Sequence, residues 1–248
     1  MRGQVVDTAS ATEFMNEILE KISNDELGDI AAAVQAKSTR MQELVFDRGV
    51  GQTLDRARLT GLLRAVFATR RRTQSILDFV GVEALAMAVD KLLLDTSDLS
   101  TRFADFDTAL AGFGEHAFDL PGELLHFVYP DRYWLWTRWM WDPRTETGAL
   151  PLVTMDDVDL GGAVRGEVYL RVGEAVAFVD ETGKASGFTA LGGGGSGGPF
   201  GIDVYLAAVY GVYMYTVLRM RMTQEFNRLV PELPDLLRRL LGVYYREA

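Results

Sequence analysis

A mainly α-helical, multi-helix globular bundle is predicted by three observations. Helix-start signals repeat along the first 130 residues, apolar residues recur there at three- and four-residue steps, and the one stretch that also reads as a short β-hairpin, around 165–180, is flanked by helical patterns. The chain has 248 residues, 48% apolar and 24% charged, which allows one large domain or two small ones with a real core.

The elements follow in order. Ser10 with Glu13 and Ser23 with Glu26 fit the capping box, in which a hydroxyl and a carboxylate satisfy the first backbone donors of a helix. They predict helices over roughly 11–22 and 24–46, with Phe14, Ile18, Leu19 and Ile22, then Leu27, Ile30, Val34, Met41 and Leu44, each set on one face. Past a loop at 49–51, Asp55 predicts a helix through about Phe79, closed by Gly81 in a left-handed conformation, and a short helix over 82–94 follows. Ser97 predicts the next start, with the stripe Leu99, Phe103, Phe106 and Leu110 inward and Arg102, Asp105 and Asp107 on other faces. Gly112-Phe113-Gly114 reads as a tight turn. Asp119 and Pro121 then open a helix that ends by Tyr129, because Pro130 disfavours helical geometry before it.

Asp131–Trp141 reads as a short helix with aromatics on every side, stopped by Asp142-Pro143. For 164–180 one helix is favoured, and a hairpin turning at Gly173 is the alternative. The glycine-rich run 192–198 reads as a flexible linker before a helical pair at about 203–229 and 234–245. The organisation expected is a helical region 1–150 with the aromatic segment 127–141, a mixed region 151–198, and a C-terminal pair within 199–248 packed on the same core.

Composition excludes several chemistries. With no cysteine there is no disulfide, thiolate metal site or cysteine nucleophile, and two histidines, His116 and His126, do not make a polyhistidine site. No metal and no cofactor are expected. The glycine run lacks the Lys-Ser/Thr of a P-loop and follows no clear strand pattern, so it meets neither the P-loop nor the dinucleotide fingerprint and reads as a hinge or surface loop. The N-terminus lacks the apolar stretch of a secretory signal, and a cytoplasmic location is expected. Val204–Leu218 is uncharged, but at ~1.5 Å per residue it is shorter than a ~30 Å bilayer core and reads as a buried helix, not a membrane span.

The leading functional expectation comes from aromatic density. Trp134, Trp136, Trp139 and Trp141 fall within eight residues, after Phe127, Tyr129 and Tyr133. Arg138 lies among them, and Tyr205, Tyr210 and Tyr213 crowd the late apolar helix. Trp, Tyr and Arg are enriched at binding hot spots, so these residues predict a protein interface on a non-catalytic scaffold or assembly subunit with a protein partner or a second copy of itself. A central helix of a single core is the plainer reading of the same cluster.

The alternative expectation is nucleic-acid binding. The net charge of −10 disfavours it, yet residues 48–72 hold seven arginines and one acid, a local +6 that leaves −16 elsewhere. Arg64, Arg70, Arg71 and Arg72 are the candidate contacts; a solvated helix face, or pairing with the acidic remainder, explains such a run equally. Leu110-Ala-Gly-Phe-Gly114, then Leu124-Leu125-His126-Phe127 and Tyr129-Pro130-Asp131-Arg132-Tyr133, resembles the hairpin and following helix of the helix-hairpin-helix DNA glycosylase-like superfamily. The resemblance implies that Gly112 and Gly114 let backbone amides approach a phosphate, and that Asp131 stands nearest the aspartate assisting base excision. No lysine follows the hairpin and no cysteines are present for a cluster, so it implies a related helical fold with lost or altered chemistry. A second alternative is an enzyme with a small-ligand pocket near His126 and Asp131, where a histidine amid Leu125 and Phe127 equally reads as a satisfied core residue.

Overall fold

The computed structural model describes residues 4–49, 51–187, 198–221 and 231–244. Ten α-helices run through these residues: α1 Thr8–Leu19, α2 Asn24–Phe46, α3 Arg56–Ala65, α4 Thr73–Val80, α5 Val82–Leu94, α6 Leu99–Ala109, α7 Leu120–Val128, α8 Arg165–Ser186, α9 Gly201–Arg221 and α10 Leu233–Leu240. Among the described residues there is no strand, only isolated bridges pairing Val6 with Thr154 and Asp142 with Thr147. The mainly α expectation holds. The hairpin alternative does not, because α8 is one continuous helix. Gly173, read as its turn, lies inside that helix, where an added Cβ would sit 3.3 Å from the Trp134 indole.

Several boundaries differ for local reasons. Asp7, not Ser10, opens α1: its carboxylate accepts from the Ala9 and Ser10 amides at 3.1 and 3.2 Å and from the Ser10 hydroxyl at 2.6 Å. Asp98, not Ser97, caps α6 by accepting from the Thr101 amide at 2.9 Å. In each case the carboxylate three residues ahead of a serine or threonine wins the first-turn donors. The Ser23 cap is present, its hydroxyl accepting from the Glu26 amide at 3.2 Å. The helix expected through Phe79 breaks after Ala65, where the buried Thr69 hydroxyl donates to the Leu63 carbonyl at 2.6 Å and gives the chain an alternative to the helical ladder. Gly81 takes a positive φ of 86° with ψ 147°, so α4 ends and α5 starts without a loop. The early part of the C-terminal pair is present as α9 and α10; residues 222–230, and 188–197 with most of the expected linker, lie outside the described set.

The chain forms two compact units, each from discontinuous stretches. One comprises residues 1–34, 139–158 and 175–248. Its centre is α9, whose residues 201–209 are all buried and which packs on α1 and α10. The Tyr205 hydroxyl donates to the Ala11 carbonyl at 2.9 Å, and burial pushes that phenol well above its ordinary pKa. Gly198–Val217 is long and apolar enough to cross a membrane by length and composition, but 67% of the eighteen-residue window in it that passes that test is buried within the protein.

The other unit comprises residues 35–138 and 159–174. In it α5 packs against α3, α4, α6 and α7. Every residue of α7 is buried, and Gly122 brings that helix against the backbone of Trp136, where a Cβ would meet the carbonyl oxygen at 2.3 Å. The late part of α2 is pinned to α7 by a buried Lys37–Glu123 ion pair at 2.6 Å and by the Ser38 hydroxyl, which donates to the Phe127 carbonyl at 2.7 Å. Burial raises the Glu123 pKa, and the Lys37 ammonium opposes that rise.

Candidate functional site

The aromatic segment is not helical. Residues 133–137 have no regular secondary structure and lie between turns, and their backbone groups are met by side chains from other elements. Nδ1 of His126 bonds the Tyr133 carbonyl at 2.7 Å, the Tyr169 hydroxyl donates to the Trp134 carbonyl at 2.9 Å, and the Arg138 amide donates to Asp119 at 2.9 Å. Without a helix the rings are not arrayed all round one rod.

Trp136 is 1% exposed and packs against Phe118 at 5.1 Å, Phe103 at 5.9 Å and Tyr169 at 6.2 Å between ring centroids. Arg165 lies over the Phe118 ring at 4.0 Å, donates to the Phe118 carbonyl and pairs with Asp107. Burial lowers the Arg165 pKa and raises that of Asp107, each opposed by the partner's charge. Trp141 and Tyr205 are also buried, so with Trp136 they contribute to the protein's own interior and not to an exposed face. Trp134, Arg138, Trp139, Tyr210 and Tyr213 are half-buried. Arg138 is held by Asp119 and Glu115, and Trp139 lies 6.2 Å from Tyr210, which lies 6.4 Å from Tyr213. No indole is fully open to solvent.

His126 and Asp131 are not brought together into a pocket. His126 is 0% exposed and bonded to the Tyr133 carbonyl, whereas Asp131 is exposed. The histidine organises the backbone after α7. Arg102, expected off the apolar stripe of α6, is buried all the same and donates to the Leu92 carbonyl at 2.7 Å and the Tyr133 hydroxyl at 3.1 Å. Gly112 makes room for Phe79, whose ring would lie 2.3 Å from an added Cβ, and Gly114 has a positive φ of 51° within the 3-10 turn Ala111–Ala117.

The arginine run divides in two. Arg48 forms a two-pronged pair with Asp90 at 2.7 and 3.1 Å, Arg56 reaches Asp78 at 3.5 Å, and Arg58 donates to the carbonyls of Glu43, Leu44 and Asp47 at the end of α2. Those three serve the fold. Arg64, Arg71 and Arg72 are exposed and Arg70 is half-buried, and none of the four has a carboxylate partner among the described residues.

Two surfaces carried weaker sequence signals. Phe79 and Met87 are 64% and 70% exposed, and Phe79 meets Phe113 edge-on at 5.3 Å. The helix of Met87, with only Glu83, Asp90 and Lys91 charged in thirteen residues, was the available hint. A groove of about 370 Å³ is lined by Lys21, Glu26, Tyr215, Glu232, Leu233 and Pro234, residues scattered through the sequence with no motif to group them. Among the described residues no cluster of three or more His, Asp and Glu side chains could hold a metal ion. Comparison with protein-family models, curated proteins and solved structures finds no match.

Proposed function

We propose that the protein is a non-catalytic assembly subunit that acts in the cytoplasm through protein contacts, and that its contact surface lies on the outward side of α5 and the end of α4. The observation that carries this reading is the exposure of Phe79 and Met87, 64% and 70%. Helix α5 already buries Leu85, Ala86, Val89, Leu92 and Leu93, yet Ala84, Met87 and Leu94 also face solvent. A helix apolar on two sides is expected to have a second apolar neighbour. Trp136, Trp141 and Tyr205 have no part in this surface, since their rings are buried.

Native mass spectrometry of protein purified from its own host tests the proposal. The wild type is expected as a homo-oligomer or a stoichiometric complex, and the Phe79→Asp, Met87→Asp double variant as a folded monomer. A wild-type monomer across micromolar concentrations, with no stoichiometric protein retained, would overturn it.

A further inference from the structure

The turn between α3 and α4 has a composition unlike the rest of this acidic chain. Residues 56–77 contain six arginines and no aspartate or glutamate, while the whole chain carries −10. If the run served only to neutralise nearby acids, its members would be paired. Arg48 and Arg56 are, and Arg58 closes the end of α2. Arg64, Arg70, Arg71 and Arg72 stand within nine residues and have no carboxylate partner among the described residues. Four like charges so close in sequence repel one another, and an external anion relieves that repulsion.

An aromatic ring lies inside the same turn. Phe67 is 45% exposed, and the Arg70 guanidinium lies over its ring at 4.9 Å. A planar cation stacked on an exposed ring, with further guanidiniums on either side in sequence, offers a flat face for a base and forked donors for phosphates. An acidic peptide would use the arginines but has no need of the ring.

We propose that Arg64, Phe67, Arg70, Arg71 and Arg72 form a binding surface for single-stranded nucleic acid, with the arginines on phosphates and Phe67 under a base. The surface shares no residue with the α5 face, so each reading stands or falls by itself. The backbone of the turn is held by Thr69 and Thr73, whose hydroxyls donate to the Leu63 and Arg70 carbonyls at 2.6 and 3.1 Å, so its conformation does not depend on the arginine side chains.

The test is fluorescence anisotropy of the full chain with a labelled twenty-nucleotide oligothymidylate at 50 and 200 mM salt. Four arginine–phosphate contacts predict a loss of affinity of about 50-fold over that range, from a slope of about 0.7 per contact. In Arg70→Ala, Arg71→Ala, Arg72→Ala the dependence should fall to about threefold. Phe67→Ala should weaken binding about tenfold or more with the salt slope unchanged. Circular dichroism melting is expected to stay close to the wild type in both variants, because Arg71 and Arg72 are exposed and Arg70 and Phe67 are only partly buried. Any of four results would overturn the proposal: no binding at 50 mM salt, an unaltered triple variant, an unaltered Phe67→Ala variant, or competition by duplex DNA or polyglutamate as effective as that by the single strand.

Discussion

Lys37 and Glu123 show how a single contact constrains this fold. Their side chains are almost wholly buried, and Lys37 also lies 3.9 Å from the centre of the Phe127 ring. Removing one member strands the other charge in a medium that cannot solvate it, so Glu123→Leu is expected to destabilise by about 3–5 kcal/mol in urea titrations. The double change Lys37→Met, Glu123→Leu should recover most of that loss, since apolar replacements of similar volume avoid the desolvation cost. Gly122 is constrained by space instead. A methyl there meets the Trp136 carbonyl, which is backbone and cannot swing away, and Gly122→Ala should lower stability by about 2 kcal/mol by the same assay. Neither constraint is visible in the sequence, because the partners of Lys37 and Gly122 lie 86 and 14 positions away.

Helices were legible wherever local chemistry decides them. Val82–Leu94 has the range expected from its apolar pattern, and α2 begins beside the predicted Ser23 cap. The Asp131–Trp141 stretch is not the helix its pattern predicts, because its backbone partners come from Asp119, His126 and Tyr169, and periodicity carries no trace of them. The same distance effect hid the Trp134 indole that lies against Gly173 in α8. At the helix starts, the Asp7 and Asp98 carboxylates are held below their ordinary pKa of 3.8, foremost by hydrogen bonds from the Ser10 and Thr101 hydroxyls. A carboxylate whose folded pKa is depressed contributes stability above its ordinary value and loses it as pH falls through the folded one. Thermal melts are therefore expected to drop below about pH 4, and less steeply in Asp7→Asn, Asp98→Asn than in the wild type.

At the scale of the whole molecule, the balance between buried and exposed apolar surface matters more than any motif. The sequence pointed to crowded tryptophans as a contact surface. The structure buries Trp136 and Trp141 and half-buries the others, while less conspicuous residues, Phe79 and Met87, stay open. The reason is physical: density of large rings along a chain does not say which of them the core takes, whereas the outward side of an apolar helix becomes visible only once its inward side is known. The basic run was legible as a charge excess, but its division into arginines that serve the fold and arginines without acidic partners required coordinates.

The chain has no cysteine, so a Met87→Cys variant carries one thiol as a reporter at the centre of the proposed contact surface. The decisive measurement is its alkylation rate in host extract, compared with the same thiol in isolated, dilute protein and with a Thr12→Cys control at another exposed site. Protection of the Met87→Cys thiol by at least about tenfold in extract, with the control unprotected, is the expected result. Equal rates for the two thiols in extract would contradict the account.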